Sequence, residues 1–411
     1  TINHQLSIDK QRRLTFELRT MIKHISPPKS TDLFSQQLLT LYLLSLLFGV
    51  SLGLFNPLMS TFMEQQQVSQ IWIGINSTVY FLAIALTTPI VNLLLRRWGI
   101  RPVLLLGLLL MGLSGSAFPL TEQLSLWFIL RIIMGFGVCS VLIGGQTALN
   151  HFSHESSRAR VSGLYFLAMG LGFIIGPALG PRLYSISPPL AFLLGGGVNA
   201  IAFIVVMYYL RQKIILATST NSLLLPLLKQ FKFPIHGAFA YGMAEATLIT
   251  LYPVFLLRQN YTVEQMGLTL SVFVLGSLVS TVPVTNLADR WNKVSVLLGC
   301  VGTGIIASLG LTIMNNYWLI LMFSLLAGAS IGPVYPLCLA LLGQQVKSSD
   351  LGAGTALFTT TYSLGNATGP ILSALMMEVL GDRFIFSAFI PIYIALLLRM
   401  LAKEKKPKFE F

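Results

Sequence analysis

Twelve apolar runs, each long enough to cross a bilayer, follow one another along this chain of 411 residues. A helix of about 20 residues rises about 30 Å, which is the thickness of the hydrocarbon core. Hydrophobic residues make up 54% of the sequence and charged residues only 10%. Soluble domains of this length do not have such a composition. The sequence therefore predicts an all-α integral membrane protein. The runs cover residues 36–62, 71–95, 102–120, 124–149, 159–181, 189–210, 234–257, 266–288, 294–314, 317–343, 352–377 and 384–401.

Cationic residues are unequally distributed between the connections of these runs. The formal net charge of +13 would suit nucleic acid, but 23 of the 27 lysines and arginines lie before the first run, at the C-terminal end, or at the connections after even-numbered runs. Arg131 lies inside a run, and only Arg182, Arg258 and Arg383 lie in the other connections. Because positive residues accumulate on the cytoplasmic side, we predict that both termini are cytoplasmic. We place the protein in the cell membrane, specifically a bacterial inner membrane, and predict no nucleic-acid partner.

The two halves of the chain repeat one another at a constant offset. Six crossings return the chain to its starting side, so the sequence predicts two parallel repeats, with a substrate site between them near the midplane. We place the first six-helix bundle at 35–212, a cytoplasmic linker at 213–233 and the second bundle at 234–402. The matched residues, each pair 193 residues apart, are Arg97 and Arg290, Gly135 and Gly328, Gly172 and Gly365, Gly176 and Gly369, and Pro177 and Pro370.

The chain ends carry further positive charge. Residues 1–34 place Leu14, Leu18, Met21 and Ile22 at helical spacing among arginines and lysines. We interpret this cytoplasmic segment either as a basic amphipathic helix on the inner leaflet or as a partly disordered tail. Residues 403–411 are predicted to form a cytoplasmic tail.

Glycines and a proline interrupt the fifth run in the pattern G-x8-G-x3-G-P-x2-G, through Gly163, Gly172, Gly176 and Pro177. This pattern resembles the helix-5 signature of antiporters of the major facilitator superfamily, although a second glycine usually stands where this chain has Pro181. The resemblance extends from the first run to the twelfth and implies two pseudo-symmetric six-helix bundles that work by alternating access. From it we predict a gating surface on which the bundles move, formed by Gly172, Gly176, Pro177, Gly365, Gly369 and Pro370.

Two connections also resemble a signature of this family, G-x-L-x-D-R-x-G-R-R between helices 2 and 3. The first copy keeps Arg97 but has Arg96 in place of the acid, whereas the second keeps Asp289 and Arg290. In the family the acid is thought to hold the cytoplasmic side closed. We therefore predict gating roles for Asp289, Arg290 and Arg97, with anchoring of arginines at the inner leaflet as the alternative.

Arg131 lies seven residues into the fourth run, about 10 Å deep at helical rise. It begins an R-x-x-x-G pattern that resembles the family's helix-4 signature. A cation at this depth needs water or an acceptor, so we predict a role beside the proton-coupling group. The alternative is an arginine that extends to the outer interface.

Glu245 is an acid near the middle of the seventh run, about 16 Å from its start at helical rise. An acid at that depth can bind and release a proton as access to water alternates, and we predict that Glu245 couples transport to protons. The alternative is a permanently protonated side chain bonded to a neighbouring helix.

Isolated polar and aromatic residues recur within the runs. They predict an amphipathic substrate cavity with little fixed charge, although each alone could equally serve as an interhelical hydrogen bond. These residues are Asn56, Asn76, Tyr80, Gln146, Tyr241, Tyr252, Tyr335, Tyr362 and Asn366.

The sequence lacks the elements of covalent chemistry. It contains no G-x-x-x-x-G-K-[ST] loop and no cluster with metal-ligand spacing. We predict no enzyme activity, no cofactor and no metal. Our functional prediction is a monomeric secondary transporter that exports a small amphipathic or cationic solute in exchange for protons. The alternatives are a proton-coupled importer of a nutrient, siderophore or sugar, and a receptor or assembly factor that does not transport.

Overall fold

The computed structural model describes residues 33–154, 157–210, 232–345 and 351–404, and within these ranges every regular element is a helix. This confirms the predicted all-α class. The predicted amphipathic segment, almost all of the linker and most of the C-terminal tail lie outside the described residues.

Among its described residues, the first half contains six α-helices whose ends follow local sequence. The hydroxyl of Ser35 accepts a hydrogen bond from the Leu38 amide and caps the first helix. Gly99, with φ of 87°, ends the second helix and allows the third to begin at once. The helices are α1 (Gln36–Gln65), α2 (Gln70–Trp98), α3 (Ile100–Ala117), α4 (Leu124–Phe152), α5 (Arg158–Ile186) and α6 (Pro188–Tyr209).

The second half differs because prolines break two of its predicted runs. The run 234–257 forms two helices at an angle of 45°, with Pro253 in the first turn of the second. The run 317–343 is divided at Gly332 and Pro333. A proline has no amide to donate, so the helix cannot continue regularly through it. The helices are α7 (Lys232–Thr250), α8 (Tyr252–Arg258), α9 (Val263–Arg290), α10 (Lys293–Ile313), α11 (Tyr317–Ile331), α12 (Val334–Gln345), α13 (Leu351–Leu380) and α14 (Ile390–Glu404).

The number of membrane-spanning helices agrees closely with the sequence. Among the described residues, ten helical segments are long and apolar enough to cross a membrane, with α11 and α12 together forming one of them. The number is eleven if the bent pair α7 and α8 is counted as one further span. The remaining predicted run, 352–377, coincides with α13, a helix of 30 residues.

Helices of the two halves pack in the same pairs. In the first half α1 packs along α5, and α4 packs against α2 and α3. In the second half α7 packs along α13, and α11 packs against α9 and α10. The two bundles meet along two seams, α2 against α13 and α5 against α9. We call the end where α1 begins and α14 ends the terminal side, and the other end the opposite side.

The paired glycines face a helix of their own bundle, whereas the prolines predicted with them, Pro177 and Pro370, lie at the seams between the bundles. A Cβ on Gly172 would collide with the Leu46 carbonyl and the Val50 amide of α1. Gly176 faces the same helix one turn further on. The missing Cβ therefore serves a close approach of α5 to α1 within one bundle.

The second bundle repeats this contact. A Cβ on Gly365 would meet the Phe239 carbonyl of α7, and one on Gly369 would meet the Met243 carbonyl. The repeated glycines thus determine how tightly each bundle packs.

Candidate functional site

Glu245 lies at the middle of the bent pair α7 and α8, thirteen residues from Lys232 and thirteen from Arg258. The Tyr362 hydroxyl on α13 donates a hydrogen bond of 2.6 Å to its Oε2, and the Tyr241 hydroxyl donates one of 3.1 Å to its Oε1. The Glu245 side chain is nevertheless partly exposed. Both carboxyl oxygens are therefore held by phenols, in a residue that is partly exposed as a whole.

Three tyrosine rings surround this carboxyl group. Tyr241 lies 5.5 Å from Tyr335 of α12 and 5.9 Å from Tyr362, measured between ring centroids, and Tyr335 lies 5.1 Å from Tyr362. All three residues are partly exposed. We call Glu245, Tyr241, Tyr335 and Tyr362 the tyrosine–glutamate cluster. A carboxylate beside aromatic faces is an arrangement that attracts cations, including protons and organic ammonium groups.

The chemistry of the cluster admits two protonation states of Glu245. Two phenolic donors satisfy an ionised carboxylate, and a protonated carboxyl group would find phenolic oxygens as acceptors. Every other acidic side chain that the structure describes lies near a helix end or in a connection. Glu245 is thus distinguished by depth within the described part of the chain.

Arg131 forms a second polar cluster, in the first bundle. Its side chain is 1% exposed, so it does not extend to the interface. Its Nε donates to Asn76 Oδ1 and its Nη1 to Asn56 Oδ1, both at 2.9 Å. Its Cζ lies 5.0 Å from the centroid of the Tyr80 ring. The guanidinium group therefore connects α4 to α1 and α2 through neutral partners.

The two clusters belong to different bundles. The partners of Arg131 come from the first bundle and those of Glu245 from the second. Among the described residues, no ion pair connects Arg131 to Glu245.

Several predicted cavity residues are structural contacts instead. Asn56, Asn76 and Tyr80 are buried against Arg131, as described above. Tyr252 is completely buried, and its hydroxyl shares a 2.8 Å hydrogen bond with Ser324. A polar side chain inside an apolar core is stabilised by such a partner, so these four do not line an open cavity.

The two other predicted cavity residues differ in exposure. Gln146 of α4 is exposed. Asn366 lies one turn beyond Tyr362 on α13 and is buried, and its Oδ1 has no hydrogen-bond partner among the described residues.

The residues predicted from the loop signature lie on the terminal side. Asp289 forms a 2.6 Å ion pair with Lys293 on the next helix of its own bundle. Arg97 and Arg290 are exposed. In this conformation Asp289 therefore supports the turn between α9 and α10.

Two matched glycine contacts on the opposite side were missed by the sequence reasoning. A Cβ on Gly267 of α9 would collide with the Pro177 carbonyl and the Pro181 ring of α5. A Cβ on Gly74 of α2 would lie 2.9 Å from the Pro370 carbonyl of α13. Gly74 and Gly267 are 193 residues apart, as are Pro177 and Pro370, so the repeat offset could have revealed them. Both seams are closed here.

An ionic cluster closes the same side. Arg258 Nε and Nη2 contact the two carboxylate oxygens of Glu64 at 2.7 and 3.0 Å, and Nη1 contacts Asp382 Oδ1 at 2.9 Å. Glu64 belongs to the first bundle and the other two residues to the second. We call these three residues the Arg258 clasp. The Gln70 amide also donates a 2.6 Å hydrogen bond to Glu378 across the α2–α13 seam.

The α2–α13 seam is open toward the terminal side. A cavity of about 1020 Å³ lies between the two helices, lined by residues 82–88 and 355–364. The described residues contain no group of histidine, cysteine and acidic side chains that could hold a metal ion.

Comparison with known proteins agrees with this architecture. The uncharacterized MFS-type transporter YfkF of Bacillus subtilis is 26% identical over 356 residues, which is 84% of this chain and 90% of YfkF. The uncharacterized MFS-type transporter YE1530 of Yersinia enterocolitica is 23% identical over 383 residues, covering 91% and 98% of the two chains.

Solved structures share the fold at low sequence identity. The nucleoside transporter NupG has a TM-score of 0.72 at 13% identity, over 91% of this chain and 100% of NupG. A bacterial homologue of the human lysosomal transporter Spinster, in an inward-facing and unoccupied conformation, has a TM-score of 0.70 at 13% identity over 91% and 95% of the chains. The family model of the Major Facilitator Superfamily matches residues 41–227 and 236–410. The chain therefore belongs to the Major Facilitator Superfamily and is a membrane transport protein.

Proposed function

We propose that this protein exports an amphipathic or cationic organic solute in exchange for protons. The observation that carries the proposal is the position of Glu245 at mid-span, bonded through both carboxyl oxygens to tyrosines and still partly exposed. A carboxyl group that alternately binds a proton and a cation couples their movements, because it neutralises only one of them at a time. Asp289, Arg290 and Arg97 are proposed to contribute to closure of the terminal side in the other conformation.

Arg131 supports the same proposal from the first bundle. Its guanidinium group is bonded to neutral partners, and because arginine is not deprotonated in proteins, it stays positive throughout the cycle. A fixed positive charge in one bundle favours loss of the proton from an acid that approaches it in the other. We propose that Arg131 assists proton release when the two bundles change their relative position.

Transport in proteoliposomes with an imposed pH gradient tests the direction. With tetraphenylphosphonium as the probe, we expect movement opposite to the proton flow. Movement in the same direction as protons would instead establish the importer, and the absence of movement for every compound in a wider panel would favour a receptor.

Glu245→Gln tests the coupling group. We expect it to abolish gradient-driven movement of the probe and to remove the pH dependence of probe binding, since glutamine does not titrate. Glu264→Gln, at the first turn of α9, is the matched control and should leave both unchanged. Wild-type pH dependence in Glu245→Gln would refute the coupling role.

A further inference from the structure

The groove between α2 and α13 has the dimensions of a ligand site. Its volume of about 1020 Å³ is at the upper end of the pockets that enclose small organic ligands, about 300–1,000 Å³. It lies in the terminal-side half of the spans, from the middle of α2 toward its end. Leu86 on α2 is 72% exposed and Leu364 on α13 is 51% exposed at its margins. Exposed leucines at this depth of the spans are expected to face hydrocarbon.

The walls of the groove are effectively apolar. Leu82 and Ala85 line it from α2, and Ala356 lines it from α13. Thr88 donates its hydroxyl to the Ile84 carbonyl, and Thr360 donates to the Ala356 carbonyl, each within its own helix. These threonines satisfy their polar groups locally and leave their methyl groups for contact. An alkyl chain fits such walls, whereas a polar solute does not.

The groove is present at the α2–α13 seam because matched positions of the two seams carry side chains of different size. Ala85 and Ser363 line it on the α2–α13 seam. The residues at the same positions of the other seam, 193 residues away, are Leu278 and Gly170. Leu278 packs onto Gly170 there, and a Cβ on that glycine would lie 2.8 Å from Leu278 Cδ1. A leucine therefore closes the α5–α9 seam at the level where an alanine leaves the α2–α13 seam open.

The inner end of the groove lies next to the tyrosine–glutamate cluster, whose own four residues are not part of its lining. Ser363 lines the groove and follows Tyr362, whose hydroxyl donates to Glu245. Thr359, also in the lining, interacts with the Tyr335 hydroxyl. A chain in the groove would thus end close to the residues that hold Glu245, so that a head group reaching past Ser363 and Thr359 would meet the cluster.

We infer that the α2–α13 groove binds the alkyl chain of a single-chain amphipathic cation, which enters sideways from the terminal-side leaflet with its head group at Glu245. The chain site stands on the groove itself, while the placement of the head group rests on the proposed function. Charge complementarity favours this occupant over a zwitterionic phospholipid, because the cluster next to the groove provides a carboxyl group and three aromatic rings.

Photoaffinity labelling of the full chain in phosphatidylcholine nanodiscs tests the site. The probe is dodecyltrimethylammonium with a diazirine at the end of its alkyl chain, and mass spectrometry locates the adducts. We expect adducts within 82–88 and 355–364, lost in excess dodecyltrimethylammonium and retained in excess tetramethylammonium. Adducts only elsewhere, or the same pattern from a diazirine-labelled phosphatidylcholine, would overturn the inference and identify the occupant as bilayer lipid.

Two matched variants strengthen the test. Leu86→Trp fills the groove and should cause loss of the α13 adducts. Val279→Trp places the same ring 193 residues further on, at a residue 64% exposed on the other seam, and should leave the adducts unchanged. Equal labelling of both variants would contradict the site. Labelling in the groove without transport of the probe would instead count against the proposed function alone.

Discussion

A guanidinium group in the hydrocarbon region costs about 2.5–3.5 kcal/mol on insertion scales, and the surroundings of Arg131 reduce this cost. Two amide oxygens and one aromatic face contact the group. These partners satisfy donors without neutralising the charge. The guanidinium group therefore remains a positive charge in the first bundle, and its electrostatic interactions are strong because the surroundings have a low dielectric constant.

Replacing Asn76 by Leu should destabilise the protein more than replacing Tyr80 by Phe. The first change leaves the Arg131 Nε without its acceptor, and an unpaired buried donor costs about 1–3 kcal/mol, more for a charged group. The second change keeps the aromatic face. Thermal unfolding of the purified variants in detergent measures the difference, and equal midpoints would show that the Asn76 contact contributes nothing.

The sequence singled out Glu245 and Arg131 because an ionisable group in the middle of an apolar run is rare. It did not reveal their partners. Tyr362 is 117 residues from Glu245, and no local pattern connects them. Asn56 was assigned to the cavity because an isolated amide in a span looks the same whether it binds a ligand or a neighbouring helix.

At the level of helices, apolar runs bounded by charges and caps predicted the ends of the elements to within a few residues. The breaks between α7 and α8 and between α11 and α12 were not predicted, since an apolar run does not show whether a proline kinks a helix or divides it. The function of the glycines required the packed structure as well. Their spacing indicates a small-residue face but not which helix lies against it.

Gly172→Ala should destabilise the first bundle, whereas Gly163→Ala on the same helix should be tolerated. The new Cβ at Gly172 would collide with the α1 backbone, and overpacking of this kind costs about 1–3 kcal/mol. The Cβ at Gly163 would meet nothing within 4 Å. The midpoint of thermal unfolding is the measurement, and an unchanged midpoint for Gly172→Ala would show that α1 can move away at no cost.

Replacing Gly176 by Leu tests the gating prediction at the same contact. We expect impaired transport with normal membrane insertion, because the larger side chain forces α5 away from α1 and shifts the Pro177 contact at the seam. Transport of tetraphenylphosphonium into proteoliposomes measures the effect. Wild-type transport would show that this helix pair does not influence the movement of the bundles.

For the whole molecule, the closed and open parts of the seams match one end state of the alternating-access cycle that the proposed function requires. On the opposite side, two glycine–proline contacts and the Arg258 clasp join the bundles, while the α2–α13 seam opens toward the terminal side. Transport requires these contacts to break in turn. The contacts at Gly74 and Gly267 are van der Waals contacts with backbone atoms, whereas the Arg258 clasp consists of charge-assisted hydrogen bonds. The clasp is therefore the contact that a single substitution can weaken.

Arg258→Gln should therefore shift the population toward the state that is open on the opposite side. The clasp is partly exposed, so we expect an effect of about 1 kcal/mol, a factor of about five in the equilibrium between the two states. Distances between nitroxides at Gln123 and Trp318, exposed positions of the two bundles on that side, measure the populations by double electron–electron resonance.

Arg383→Gln is the control, because this arginine is bonded to Asn315 of its own bundle. High salt should reproduce part of the shift in the wild-type protein and none in Arg258→Gln, since screening acts on a charge pair that the variant no longer has. Identical distance distributions for Arg258→Gln and the wild type would mean that the glycine–proline contacts alone keep the opposite side closed.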